Sequence, residues 1–243
     1  MKKGLFLVRE NRRLANDIYL LRLEGDASGF TAPGQFADIE LPGFFLRRPF
    51  SVCCWDDGGF SLVYRVAGGG TERMSGLPLG TELDVLTGLG NGFDVALCGK
   101  APLLVGGGSG VSPLPGLAKS LVAAGAAPTA ILGFRSAADV FLTAELERAG
   151  AKTILLTEDG SAGLRGLVTD AMDGLAYSHV CACGPEAMLK AVCEKSLTSG
   201  QFSFEARMGC GFGACMGCSC ETKYGAKRIC RDGPVLMKEE IIW

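Results

Sequence analysis

The chain has 243 residues, 48% of them hydrophobic and 21% charged, and a formal net charge of −2. That length holds one large or two small domains with real cores, and that balance excludes electrostatic steering toward nucleic acid or an anionic membrane. No apolar run reaches the length of a membrane span.

Met1–Val8 opens like a leader peptide, but Arg9, Glu10, Arg12 and Arg13 end its apolar stretch at once, so the reading is a first strand. The segments Leu5–Val8, Ile18–Leu23, Gln35–Glu40, Phe50–Cys54, Phe60–Arg65 and Glu82–Leu86 are strand-like, separated by Gly, Pro or Asp, and predict a small antiparallel barrel over residues 1–98. From Gly99 the pattern changes. Short apolar runs at Leu103–Val105, Thr129–Gly133, Thr153–Thr157, His179–Cys183 and Gln201–Phe204 alternate with helical stretches at Leu114–Ala124, Ala138–Ala149, Leu164–Met172 and Glu186–Ser199. This strand–helix alternation over residues 99–205 predicts a doubly wound α/β sheet. Residues 206–243 form a cysteine-rich tail, giving an α+β multidomain chain of three parts.

The tail carries the strongest signal. Cys210, Cys215 and Cys218, with Cys230 further on, have the C-x4-C-x2-C spacing of plant-type [2Fe–2S] sites. Zinc also takes four thiolates, but its ligands usually fall into two C-x2-4-C knuckles. Disulfides fit less well, because the segment holds a fifth cysteine, Cys220, and no secretory signal is evident. Cys220 is read as a buried thiol beside the ligands. Eleven cysteines without such a signal point to a reducing, cytoplasmic setting. Cys53, Cys54, Cys98 and Cys193 are read as core packing. His179 is the only histidine, which argues against histidine metal sites and histidine general-base chemistry.

Four further motifs bear on binding. In Arg48-Pro49-Phe50-Ser51, the arginine can pair with a phosphate and the serine can donate to a ring nitrogen or oxygen; alone, an Arg-Pro pair at a strand entry is more often a surface turn. Val63-Tyr64-Arg65 offers a ring for stacking and a cation for a diphosphate, and the following Gly68–Thr71 run, with Gly70 and Thr71, opens a short helical turn. Gly106–Pro113, with Gly107, Gly108 and Gly110, is a glycine-rich strand-to-helix turn of the kind that admits a dinucleotide pyrophosphate. Cys183-Gly184-Pro185 closes a late strand at the edge where open α/β sheets bind ligands. Without a nearby base Cys183 is a poor nucleophile, so it reads either as a packing surface for a nicotinamide or as a plain core cysteine.

Together these residues resemble the ferredoxin–NADP reductase superfamily, in order and over nearly the whole chain. Arg48–Ser51 resembles its R-x-[YF]-[ST] flavin motif. The tail, with Arg231-Asp232-Gly233-Pro234-Val235, resembles dihydroorotate dehydrogenase B electron-transfer subunits. The resemblance implies FAD held by Arg48, Pro49, Phe50, Ser51, Val63, Tyr64, Arg65, Gly70 and Thr71. It implies NAD at Gly107, Gly108, Gly110, Cys183, Gly184 and Pro185, and a [2Fe–2S] cluster on the four named cysteines. Ser51, Cys183 and Glu205 are the residues it places nearest the chemistry, and Arg135 is where a 2′-phosphate would be met if the nucleotide were NADP. It further implies a partner, the FMN-containing dihydroorotate dehydrogenase catalytic subunit, with two copies of each chain, and electrons passing from FMN through the cluster and FAD to NAD+ in pyrimidine biosynthesis. The alternative is a flavin and iron–sulfur subunit of a ferredoxin–NAD(P) oxidoreductase or of a hydrogenase complex.

Overall fold

A computed structural model describes all residues, 1–243. The first six strands are β1 (Lys2–Ala15), β2 (Ile18–Glu24), β3 (Phe36–Ile39), β4 (Arg48–Asp56), β5 (Gly59–Arg65) and β6 (Glu82–Leu89), with helix α1 (Gly69–Ser75) between the last two. They close into an antiparallel barrel in the order β1-β2-β5-β4-β3-β6. Period-two burial explains the closure. In β6, Leu83, Val85, Thr87 and Leu89 are buried while their neighbours are not. Phe6, Val8, Leu21, Leu23, Phe60, Leu62 and Tyr64 fill the interior from the neighbouring strands. β1 runs past the expected Val8 because its charged residues face outward and pair there, as Arg9 does with Glu24 at 2.7 Å.

The second layer follows the predicted alternation: β7 (Leu103–Gly107), α2 (Leu114–Ala123), β8 (Thr129–Phe134), α3 (Thr143–Arg148), β9 (Lys152–Thr157), β10 (Leu164–Arg165), β11 (Val180–Cys183), α4 (Glu186–Lys195) and β12 (Gly200–Ser203). Two helical expectations are corrected. Leu164–Met172 is not a helix: it is the short strand β10 and a 3-10 turn at Asp170–Met172, broken by Gly166 at φ +139°. Ala138–Ala149 is interrupted where Leu142 takes φ 61°, leaving a 3-10 turn and the short α3. Glu186–Ser199 ends early as a helix, at Lys195.

The strand order of the large sheet is β10-β9-β8-β7-β11-β12, parallel throughout, with one further strand at the β12 edge. β7, β11 and β12 are buried along their whole length, as strands covered on both faces must be. The order reverses between β7 and β11, so the carboxyl ends of those two strands flank the crevice where such sheets bind ligands.

The tail contributes a hairpin, β13 (Ser219–Thr222) and β14 (Gly225–Arg228), and then β15 (Val235–Met237). β15 is that further strand: it pairs antiparallel with β12, joining the tail to the nucleotide-type sheet. The three sequence segments are therefore one packed body. One core joins Ile18, Cys53 and Val63 of the barrel to Leu114 and Leu117 of α2. Another joins Phe36 and Leu89 of the barrel, Val105 and Val180 of the sheet, and Cys218, Ile229 and Cys230 of the tail. Asn91, just after β6, clips the tail in place: Nδ2 donates to the Val235 carbonyl at 2.7 Å and Oδ1 accepts from the Val235 amide at 3.1 Å.

Asn91→Ala removes both side-chain bonds at that clip. It should cost about 1–3 kcal/mol in denaturant unfolding and raise amide exchange in Val235–Met237, with the barrel amides unchanged.

Candidate functional site

Strand β4 presents Arg48, Pro49, Phe50 and Ser51, each half-buried, at the barrel rim. The Arg48 guanidinium lies over the Phe44 ring, 5.1 Å from its centre, and donates to the Leu46 carbonyl at 2.6 Å. It also lies against Gly70, where an added Cβ would stand 2.7 Å from Arg48 Nε. A fixed cation beside the amides of the Gly69–Thr71 turn is a cradle for phosphate, and a side chain at position 70 would fill it. Thr71 shapes that turn: its Oγ1 accepts from the amides of Ala67 and Gly68 at 2.9 and 3.2 Å.

Not every expected contact is available. Tyr64 is buried in the barrel, its ring 5.8 Å from that of Tyr19 and its hydroxyl donating to Asn11 at 3.1 Å, so it is not free to stack on a ligand ring. Val63 is also buried, and its carbonyl accepts from Ser112 of the glycine-rich turn at 3.4 Å, joining barrel to sheet. Arg65 is exposed and lines the neighbouring cleft.

That cleft, of about 740 Å³, opens at the β7–β11 switch and is lined by Gly107, Gly108, Gly133, Arg135 and Pro185 among others. Gly110 and Cys183 lie beneath it: Gly110 packs on the Cys183 carbonyl, and Cys183 is buried. Gly184 packs against Met188, which lines the cleft. Burial, with Glu205 adding to it, pushes the Cys183 thiol up to about 12, so it stays neutral and cannot serve as a thiolate nucleophile. Glu205 is exposed in this structure, yet the protein crowded around it still raises its carboxyl by desolvation. At the far end of the cleft Arg135 stands with Asp139 and Glu158, where the Glu158 amide donates to the Phe134 carbonyl at 3.0 Å. An acidic residue after a sheet strand is what a ribose 2′-hydroxyl needs. Glu158, directly after β9, is a candidate that the strand pattern alone does not single out.

The tail's sulfurs fall into two pairs. Cys210 Sγ accepts from the amides of Ala214 and Cys215 at 3.2 and 3.4 Å, and Cys218 Sγ accepts from the Cys230 amide at 3.4 Å. Partial burial opposes ionisation of Cys210, but the amides around it outweigh that and bring the thiol down to about 6. Cys230, buried beside Cys218, is pushed up to about 12 by desolvation and by that neighbour. A single zinc ion would draw all four sulfurs to within about 4 Å of one another. Two pairs, one within the glycine-rich loop and one joining the end of that loop to Cys230 beyond the β13–β14 hairpin, each with an amide aimed at a sulfur, match two irons better. Cys215 is exposed at the surface, and Cys220 sits in β13 outside both pairs.

The cluster loop is seated on the barrel. Gly211, at φ +75°, lies against the carboxylate of Asp38, leaving no room for a side chain. Asp38 in β3 is paired with Pro49 in β4, so the cysteine loop is one strand away from the Arg48–Ser51 motif. Asp38 is buried, with Oδ1 lacking any partner. Desolvation, partly offset by Arg47 and reinforced by Cys210, raises its carboxyl to about 6.

Residues 205–242 match the family described as the iron-sulfur cluster binding domain of dihydroorotate dehydrogenase B, and residues 104–194 match the oxidoreductase NAD-binding domain. A dihydroorotate dehydrogenase B (NAD(+)) electron transfer subunit of Geobacillus sp. (strain WCH70) is 40% identical over a 259-position alignment covering 100% of this chain and 99% of the relative. The subunit of that name from Fusobacterium nucleatum subsp. nucleatum is 38% identical, with 96% of each chain covered. Among solved structures, an NADH-dependent reduced ferredoxin-NADP oxidoreductase superposes with a TM-score of 0.89 at 30% identity, covering 99% of this chain and 90% of that one. A flavohemoglobin from Malassezia yamatoensis with bound FAD and heme reaches 0.67 at 17% identity over 80% of this chain and 56% of its own, a likeness of fold alone. With relatives this similar over its full length, the chain belongs to the family of dihydroorotate dehydrogenase B electron transfer subunits.

Proposed function

We propose that this chain carries electrons between an FMN-containing dihydroorotate dehydrogenase catalytic subunit and NAD+, in an assembly with two copies of each chain. The observation that carries the reading is the seating of the Cys210–Cys218 loop on Asp38, one strand from Arg48–Ser51, with the nucleotide cleft on the same body. Flavin, when bound, supplies the conversion between the single electrons of a cluster and the hydride of a nicotinamide.

The chain's own residues do the rest. Arg48 and the Gly70–Thr71 turn hold diphosphate; Ser51 donates a hydrogen bond to the ring system, and Pro49 and Phe50 shape the rim against it. Gly107, Gly108 and Pro185 admit the dinucleotide, while Arg65 and Arg135 supply cations along its cleft. The neutral Cys183 thiol and Gly184 give the nicotinamide pocket a soft floor, with Glu205 at its edge. Asp139 and Glu158 beside Arg135 disfavour a 2′-phosphate and favour NAD. Cys210, Cys215, Cys218 and Cys230 ligate the cluster. The exposed side chains of Phe212, Met216 and Tyr224 surround that loop with apolar surface suited to a docking protein. No helix is long and apolar enough to cross a membrane. A cytoplasmic setting, as read from the cysteine content, remains part of the proposal.

The 30% identical ferredoxin-NADP oxidoreductase keeps a ferredoxin-linked role as the second reading. Anaerobic co-purification with the catalytic chain, followed by an assay of dihydroorotate-dependent NAD+ reduction, separates the two. Activity that requires both chains is the expected result. A flavin-containing protein that oxidises NADH but ignores dihydroorotate and the catalytic chain would move the function to the ferredoxin-linked class.

Cys215→Ser should abolish the cluster's visible absorbance and its paramagnetic signal on reduction while flavin content stays as in the parent. Cys220→Ser should leave both intact. An unchanged cluster in the first variant, or a lost one in the second, would contradict the ligand set.

A further inference from the structure

A second group of soft donors lies away from the cysteine loop. His179 Nε2 or Nδ1, Cys98 Sγ and Cys181 Sγ offer ligand atoms that all lie within 4.8 Å of one another. Cys98 and Cys181 are fully buried and His179 is 3% exposed. The two sulfurs are 3.6 Å apart. That is far from a disulfide bond of about 2.0 Å. It is close to the roughly 3.8 Å that two thiolates take around one zinc ion at about 2.3 Å each.

Gln201, in β12 and in register with Cys181, orders the group. Its Oε1 accepts from the Asp94 amide at 2.7 Å and its Nε2 donates to the Asp94 carbonyl at 3.0 Å, which fixes the amide's direction. The same Nε2 stands 3.2 Å from His179 Nε2 and 3.6 Å from Cys98 Sγ. An amide nitrogen can only donate, so His179 Nε2 is the acceptor and its proton sits on Nδ1. Burial favours this neutral imidazole, with two carboxylates, Glu239 and Asp94, opposing it. A neutral imidazole is the ligand form of histidine, and its Nε2 lone pair, which accepts from the Gln201 amide here, is freed for an ion when that amide moves. The Gln201 amide thus stands beside both His179 and Cys98, on the edge of the group. Gln201 also lines a cleft of about 620 Å³ between Pro33, Asn91, Val235 and Met237, so this side chain stands between the group and that cleft.

We propose that Cys98, His179 and Cys181 are the protein ligands of a structural zinc ion, its fourth position facing this cleft and taken by water when the Gln201 amide swings aside. Binding releases two thiol protons, one from each cysteine, and the two thiolates neutralise the ion, so no net charge is buried. The site would tie Cys98, at the junction of barrel and sheet, to β11, whose end carries Cys183-Gly184-Pro185. It is independent of the partner and of the electron route.

The test uses the full chain with its iron and flavin in place, incubated with zinc chloride and then desalted. Metal analysis should find one zinc per chain in addition to the cluster iron. Zinc X-ray absorption should show a mixed shell of sulfur and nitrogen or oxygen. Cys98→Ser and His179→Gln should each weaken zinc binding at least about tenfold, with iron and flavin content unchanged, while Cys193→Ser, buried elsewhere, should not. Zinc absent after desalting, an all-sulfur shell that places the ion in the tail, zinc binding unaltered by Cys98→Ser, or a Cys98–Cys181 disulfide in native peptide maps would each overturn the proposal. If the substituted chains fail to fold, the zinc content and shell of the parent decide it.

Discussion

The return of the cysteine tail onto both the barrel and the sheet is the constraint on which the rest depends. β15 adds to the sheet beside β12, Asn91 ties Val235 to the end of β6, and Gly211 rests on Asp38 of the barrel. Each contact uses a different kind of force: backbone pairing, a side-chain amide clip, and close packing that tolerates only glycine. Together they turn a C-terminal appendage into a loop of fixed position. A cluster on a swinging tail would meet the flavin motif at a range of distances; one seated on the strand next to Arg48–Ser51 meets it at one.

The same economy of position explains the charge pattern. At Cys210, proposed to ligate the cluster, backbone amides outweigh burial and lower the pKa to about 6. At Cys183, which is close-packed and buried, burial raises the thiol to about 12. Asp38 stands between these regimes, a buried carboxyl at about 6 beside the loop. In linkage terms its raised pKa adds stability that is present below about pH 4 and lost as pH rises through about 6. The folded protein therefore keeps it in place at a cost at neutral pH.

Much of this architecture was legible in the sequence because its signals are periodic or spaced. The alternating burial of β6, the uninterrupted apolar strands β7 and β11 and the cysteine spacing each state their structure directly. The errors arose where a local pattern had two solutions. Leu164–Met172 has helix-like apolar spacing, but Gly163 and Gly166 at positive φ break it into strand and turn. Tyr64 was offered as a stacking ring, whereas its strand register turns it into the barrel. Sequence separation likewise hides that Cys98, His179 and Cys181 converge around β11, which no reading of the lone histidine by itself could show. Contacts between distant segments, Asp38 with Gly211 and Asn91 with Val235, carry no sequence signature at all.

The central claim is that one rigid chain joins nucleotide cleft, flavin motif and cluster loop. Anaerobic addition of NADH to the flavin-loaded chain without its partner, followed by electron paramagnetic resonance, tests it most directly. The account predicts that the reduced [2Fe–2S] signal appears in step with NADH oxidation. NADH that bleaches the flavin while the cluster stays oxidised and silent would contradict it.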